Sequence, residues 1–436
     1  MRKTRLMLLS SIAVVTALLA TGCSGGSRST SSTDSKPVTI TFATNQITAA
    51  NTGVSPVFQD VIKQFQKDNP NVKIQLQESQ ATALQQVVQL AFANRKVPDV
   101  FNFWRPQPAF NMDKYIASGE LGDLTSLSKQ IKSQFSDDAW QTATVNGKVW
   151  AIPLTNFAVP LVVNKKVFAQ AGLPLPTTWE LLVSDVKALK AKGIIPWAVS
   201  TEPSPQSDDR LLDYVLDREL GNQKALELYQ GKAGSFSAPA VKKALADYLE
   251  VSSGYGPSDS AALDDNGVIA KYVNTGKAAM ILTNSGYLPS IDANTAKNMV
   301  VLPFPTIPGG AQTAPHMEKD LTTLMYASAA SLKDPTKGPI VKKLLKALTG
   351  PKAESQIANN GVLAAGADVK VDPAKAGQFF ADVQTTTQKE RGDKWLGNGR
   401  TPEQQQAFYP LMAQLWSTPT TADSLAKQLD TMFVQG

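Results

Sequence analysis

The sequence of 436 residues holds one cysteine, Cys23, and one histidine, His316. A single thiol forms no intrachain disulfide and no cysteine metal site. A single imidazole excludes a zinc site of the H-E-x-x-H kind and makes any Ser-His-Asp or Cys-His device depend on His316. There is no G-x-S-x-G elbow, no G-x-x-x-x-G-K-[ST] loop and no paired-glycine dinucleotide fingerprint, so acyl transfer and nucleotide hydrolysis lack their usual parts. After residue 23 no stretch reaches the roughly 18 apolar residues of a membrane span. Excess charge is also small: the formal charge is +6, and without Arg2, Lys3 and Arg5 of the leader described below, 40 basic residues face 37 acidic ones, or +3. That is no nucleic-acid footprint.

What remains is globular in composition, with 42% apolar and 18% charged residues, in a chain long enough for two domains. The acid pairs Asp208-Asp209 and Asp264-Asp265 could in principle serve a glycosidase. Adjacent acids more commonly start helices or lie in solvated loops, and His316, after Ala314-Pro315, reads as a loop residue. No cofactor is expected.

Residues 1–22 read as a secretory signal: a basic start, an apolar run from Leu6 to Ala20, then Thr21-Gly22 before Cys23. The run Leu19-Ala20-Thr21-Gly22-Cys23 is similar to the bacterial lipoprotein pattern, with Ala20 where Leu is commoner. It implies lipidation of Cys23, and two or more acyl chains give stable anchoring. Residues 23–36 continue as a Ser/Gly/Thr tether spanning roughly 20 Å as a flexible coil.

The ordered chain opens with strand, helix, strand, helix, strand: Val38 to Ala43, Pro56 to Asn69, Val72 to Gln77, Thr82 to Asn94, then a strand entered through Pro98-Asp99-Val100-Phe101. This is an α/β pattern with a mostly parallel sheet and ligands at the strands' carboxyl ends. Asn146-Gly147 is a type I′ turn pair, predicting a hairpin of Thr142 to Val145 with Lys148 to Ile152. Between Pro153 and Pro160 the chain fits neither strand nor helical period and looks like an exit from one domain. A new α/β unit then begins with a strand at Leu161-Val162-Val163. It continues with a helical turn at Lys165 to Ala171 and a helix from Trp179 to Ala191 capped by Thr177 or Thr178.

Several of these stretches carry a family resemblance. Gly147-Lys148-Val149-Trp150-Ala151-Ile152-Pro153, Asn164-Lys165-Lys166-Val167-Phe168, Ala171-Gly172-Leu173 and Pro176-Thr177-Thr178-Trp179 resemble the extracellular solute-binding proteins, family 1, of bacterial ATP-binding-cassette sugar importers. Val163 stands where that family usually has Tyr. Tyr272 to Met280 and Val300 to Pro308 also follow the family order, and the resemblance covers nearly all of residues 37–436.

It implies a two-lobed periplasmic-binding-protein fold of type II, maltose-binding-protein-like, with three interlobe crossings. Lobe I would hold residues 37–152 and 304–370, lobe II residues 153–303 and 371–436, with crossings near Pro153 to Pro160, Pro303 to Pro308 and Gly366 to Asp372. The implied protein is a monomer on the extracellular face of the cell membrane, or in a periplasm if there is an outer membrane. It would bind a mono- or oligosaccharide and deliver it to permease subunits, with no nucleic acid involved. The alternatives are a non-sugar solute on the same fold, a surface carbohydrate-active enzyme, or an adhesin without a small ligand.

A sugar cleft combines hydrogen-bonding side chains for hydroxyls with aromatic faces for the C–H surface. Strand ends and crossings offer Asn45, Gln46, Glu78, Trp104 with Arg105 beside it, Asn156, Phe157, Trp197, Asn284 and Tyr287. Trp395, in Lys394-Trp395-Leu396-Gly397, joins them from the tail. For each, the competing role is capping, turn formation or core packing.

Overall fold

The structure, a computed structural model, describes residues 36–48, 51, 53–104, 112–201, 209–390 and 392–434. The leader, Cys23 and the tether up to residue 35 lie outside the described residues, as do Arg105 and Asp208.

Period-2 apolar patterning makes β1 (Val38–Thr44) and β2 (Val72–Glu78), and a continuously buried run makes β3 (Val100–Trp104). They pair in parallel with β1 in the middle. The helices Ser55–Asp68 and Ala81–Ala93 connect them, burying Val57, Phe58, Ile62, Phe65, Leu84 and Val88 in the first core. The predicted hairpin exists but is shorter than expected: β4 (Thr144–Val145) and β5 (Lys148–Val149) flank Asn146 and Gly147, both at positive φ. Thr142 instead ends the preceding helix, and Ile152 belongs to the next strand.

That strand corrects the sequence reading. Residues Ile152–Val159 form β6, an eight-residue strand running through Pro153. Its partner is β11 (Met317–Ala327). Pro153, which has no N–H to give, lies opposite Leu324 beside a register shift at Thr323/Leu324, where a break in the ladder tolerates it. Pairing with a strand some 160 positions away decided the conformation, and local periodicity does not report such a partner.

Beyond β6 follow β7 (Leu161–Asn164), β8 (Ile195–Trp197), β9 (Ala278–Leu282) and β10 (Met299–Leu302), in the order β10-β7-β9-β8. The helix Trp179–Ala191 starts where the sequence places it, with the Thr178 hydroxyl accepting from Leu181 N–H. One face of this second sheet buries the helices Arg210–Leu220, Pro239–Ser252, Pro402–Ser417 and Ala422–Phe433 in a second core. The other face carries a third apolar cluster with Val268, Ile269, Phe379 and Phe380.

Three segments join the two sheets side by side. β6 pairs with β11 on one edge, and on the other Asn156 N–H donates to Leu363 O while Thr155 bridges Ala364. The third cluster takes a residue from each: Ala158, Met317 and Leu363. The expected second crossing at Pro303 to Pro308 is displaced. Phe304 and Ile307 are buried in the second core, and Ala311 and Gln312 donate to Glu219 and Arg218 carbonyls. The chain therefore stays with the second sheet until β11, and a boundary at residue 304 is too early. A short β12 (Gly392–Asp393) pairs with the start of β11. No helix among the described residues is long and apolar enough to cross a membrane.

Candidate functional site

The strands place the expected residues in three groups. At the ends of the first sheet, Asn102 Nδ2 donates to Asn45 Oδ1 at 2.7 Å, Gln46 Nε2 donates to the same oxygen at 2.8 Å, and Asn51 Nδ2 donates to Gln46 Oε1 at 2.9 Å. Gln46 is buried with both ends of its amide committed, so it supports the loop and does not face a ligand. Asn45 is half-buried and Glu78 is exposed at the end of β2. Half-buried Trp104 packs edge-on against Phe103 at 4.8 Å.

The register of the crossing ribbon assigns faces. Thr323 pairs with both Trp104 and Thr155, and Glu318 pairs with Val159. Alternation along β6 then puts Thr155, Phe157 and Val159 on one face, in line with Trp104 at one end and Glu318 at the other. Asn156 points the opposite way. Its Nδ2 donates to Ala364 O at 3.3 Å, and it lines a recess of about 130 Å³ with Gln141, Thr142, Lys319 and Lys394. It therefore stitches two crossings together and does not share the face of Phe157.

From the second sheet, Trp197 is 2% exposed and donates its indole N–H to Val251 O at 2.8 Å. It is a core residue with no face left for a ligand. Asn284 caps a short 3₁₀ turn, its side chain accepting from Gly286 N–H. Tyr287, on that same turn, is half-buried. Its hydroxyl is pushed up, first by burial and then by Asp265 and Asp264, with Arg210 opposing. Arg210 also lies 4.6 Å over the ring of half-buried Trp395.

Arg210 belongs to a feature that sequence reading missed. Along Arg210–Leu220 and its N-cap, Asp209, Asp213 and Asp217 recur every four residues, and Arg210, Tyr214 and Arg218 form the adjacent stripe; all six are buried. With Glu318, His316, Asp393 and Arg400 they form a buried ionic cluster. Arg210 Nη1 donates to Glu318 at 2.6 Å, and Arg400 takes Asp209 and Asp213 at 2.8 and 2.7 Å. Arg218 takes Asp217 at 2.5 Å. Tyr214 donates its hydroxyl to Val159 O and accepts from Glu318 N–H, bridging the two crossing strands at their last pair.

Both acid pairs follow the expected placement at helix starts, Asp209 and Asp264 as N-caps and Asp265 as a first residue, but Asp209 and Asp265 are buried there. His316 lies in the loop before β11, as expected, and is 2% exposed, with Nε2 meeting Asp217 at 2.8 Å and Asp393. The i, i+4 recurrence of acids was visible in the sequence, but their partners come from positions 316, 318 and 400.

Five carboxylates face three guanidiniums and one imidazole in this cluster. Burial lifts Glu318 to about 8 against the pull of Arg210, and lifts Asp213 to about 7 against Arg400, with Asp209 adding to the rise. For His316 burial opposes the charge, but the carboxylates of Asp217 and Asp393 outweigh it and raise the imidazole to about 9. Asp217, His316 and Asp393 are also the one group among the described residues whose ligand atoms converge as for a metal ion. Arg218 Nη1 lies 2.7 Å from His316 Nε2 and contacts Asp217, so a guanidinium already supplies the cation there.

Comparison with known proteins agrees with this architecture. The family model described as bacterial extracellular solute-binding protein matches residues 49–355. An uncharacterized ABC transporter extracellular-binding protein of Pyrococcus horikoshii is 28% identical over 249 residues, 54% of this chain and 56% of that protein. The diacetylchitobiose binding protein DasA of Streptomyces coelicolor is 32% identical over 136 residues, 30% of each chain. The chain thus spans about half or less of the length of these curated relatives. A solved structure described as a "probable secreted solute-binding lipoprotein" from Streptomyces coelicolor superimposes with a TM-score of 0.80 at 19% identity, over 92% of this chain and 100% of that one. That likeness concerns the fold alone. Family and fold are those of solute-binding proteins and not of enzymes, and with the match covering well over half of its length, the chain belongs to the bacterial extracellular solute-binding proteins.

Proposed function

We propose that this protein captures a mono- or oligosaccharide between its two sheets and hands it to the permease of an ABC importer. The observation that carries this reading is the set of aromatic side chains around the crossing ribbon. Trp104 and Phe157 lie on one ribbon face, the Trp395 ring lies 4.6 Å from Arg210, which Glu318 of the ribbon holds, and half-buried Tyr287 stands on the turn after β9. Aromatic faces suit the C–H surface of a pyranose, and hydrogen-bonding groups such as Asn45 and Glu78 suit its hydroxyls. The binding role named for the DasA relative, a diacetylated disaccharide, supports the carbohydrate class. Lipid anchoring through Cys23, with the polar stretch to residue 36 as tether, completes the proposal. It would keep a monomeric receptor on the outer face of the membrane near its permease.

The test is a thermal-shift screen of the mature protein against a carbohydrate library. A ligand at 100 times its dissociation constant adds roughly 2.7 kcal/mol of stability, so a true ligand gives a clear upward shift. No shift from any carbohydrate, with a shift from a polyamine or phosphodiester, would move the protein to the non-sugar reading. Anchoring is tested separately: Cys23→Ser should release the protein from membranes with its ligand affinity intact. If that variant still pellets with membranes in high salt, Cys23 is not the anchor.

A further inference from the structure

Trp395 is held by one contact from a distant helix and one from its own turn. The guanidinium carbon of Arg210 lies 4.6 Å from the ring centroid. The indole also folds back over its own turn, so that a Cβ on Gly397 would come within 2.2 Å of Cε2 and Cζ2. Only glycine leaves room for the ring there. Arg210 is itself immobilised: it is 2% exposed, Nη1 bonds Glu318 at 2.6 Å, and Nε lies 3.6 Å from Asp209. Glu318 stands on β11, and its backbone N–H is held by Tyr214.

We propose that Arg210 is a positioning residue for ligand binding: Glu318 on the crossing strand fixes the guanidinium, and the guanidinium fixes the Trp395 ring as a flat platform for a sugar face. This rests on the carbohydrate reading only for the platform's ligand; the positioning itself is a property of the chain. A planar guanidinium stacks on an indole face and forks to two carboxylates, whereas a lysine ammonium does neither in that fixed geometry. Arg210→Lys keeps the positive charge between Asp209 and Glu318, so it is the variant that separates positioning from simple charge balance.

The experiment uses the mature protein labelled with 5-fluorotryptophan. The Trp395 resonance is assigned by its loss in Trp395→Phe. Arg210→Lys and Glu318→Ala should each shift or broaden that resonance while the signals of Trp140 and Trp179 stay in place. In parallel, the affinity of the carbohydrate giving the largest thermal shift is measured in four proteins: wild type, Arg210→Lys, Trp395→Phe and the double variant. Arg210→Lys should weaken binding about tenfold in the wild-type background and by much less when Trp395 is already replaced. An unmoved Trp395 signal in both variants overturns the proposal, and so does an Arg210→Lys penalty that is the same with and without Trp395. If no carbohydrate binds wild type, the functional reading fails, and the resonance arm still decides whether Arg210 positions Trp395.

Discussion

Asp185 shows at a single residue how burial sets a testable property. It is 1% exposed on the inner face of the helix Trp179–Ala191, and burial lifts its carboxyl from 3.8 to about 6. The folded chain therefore holds a proton that the unfolded chain releases near 4. Stability falls as pH rises from about 4 to about 6, and the full cost is present above that. Replacing it by Asn should raise stability at pH 7.5 by about 2–3 kcal/mol, with the gain vanishing near pH 3.5. Urea unfolding at both pH values measures it, and equal gains at both would contradict the burial argument. Residue identity in the sequence told less at the site itself. Trp197 and Gln46 follow strands, as ligand contacts would, yet they are buried as core and support. Asn284 does the helix-capping work for which Asn is common. Nothing local distinguishes a tryptophan whose N–H meets Val251 O from one that faces a cleft.

Helices were the most legible elements. Lys165–Ala171 and Trp179–Ala191 have the limits that their caps suggest, Asn164 and Thr178, because capping and 3.6-residue periodicity are local. β6 was misread because its conformation comes from its pairing with β11. Nothing local marks the stripe on Arg210–Leu220 as buried, since its counter-charges lie far away in sequence. That element carries its own prediction. Asp213, Glu318 and His316 all keep protons in the folded state beyond the pH at which the unfolded groups lose them: the acids to about 7 and about 8, the imidazole to about 9. The sign is the same for all three, so stability falls as pH rises, above about 4 for the acids and between 6.5 and 9 for the histidine. The imidazole alone contributes on the order of 3 kcal/mol to the loss. The urea midpoint should drop between pH 6 and pH 9; a constant or rising midpoint would mean that the cluster is fully ionised or solvated.

For the whole molecule, the three crossing segments decide which motions are available. Hydrogen-bonded side by side, they are expected to resist sliding and to bend at the register shifts of β11 between Leu321 and Leu324. Below that point Tyr214 and Arg210 lock the ribbon to the second core. Above it Leu321, Leu324 and Met325 are buried in the first. The sequence resemblance conveyed the two-lobed plan and the number of crossings. It misplaced the second crossing, because Phe304 and Ile307, between Pro303 and Pro308, pack in the second core. A ligand touching Trp104 on one side and Tyr287 on the other favours the closed arrangement by the difference in its affinity for the two states. Tyr287→Ala should weaken binding by about 1–3 kcal/mol, as for buried aromatic anchors, read by titration calorimetry. Unchanged affinity would remove Tyr287 from the site.

Closure on a bound carbohydrate is the central claim, and small-angle X-ray scattering of the mature protein, with and without saturating library ligand, tests it most directly. The radius of gyration should decrease at saturating ligand, and at a ligand concentration near the wild-type dissociation constant it should fall less in Tyr287→Ala than in wild type. An unchanged scattering profile in a wild-type sample that calorimetry shows to be fully liganded would contradict the account.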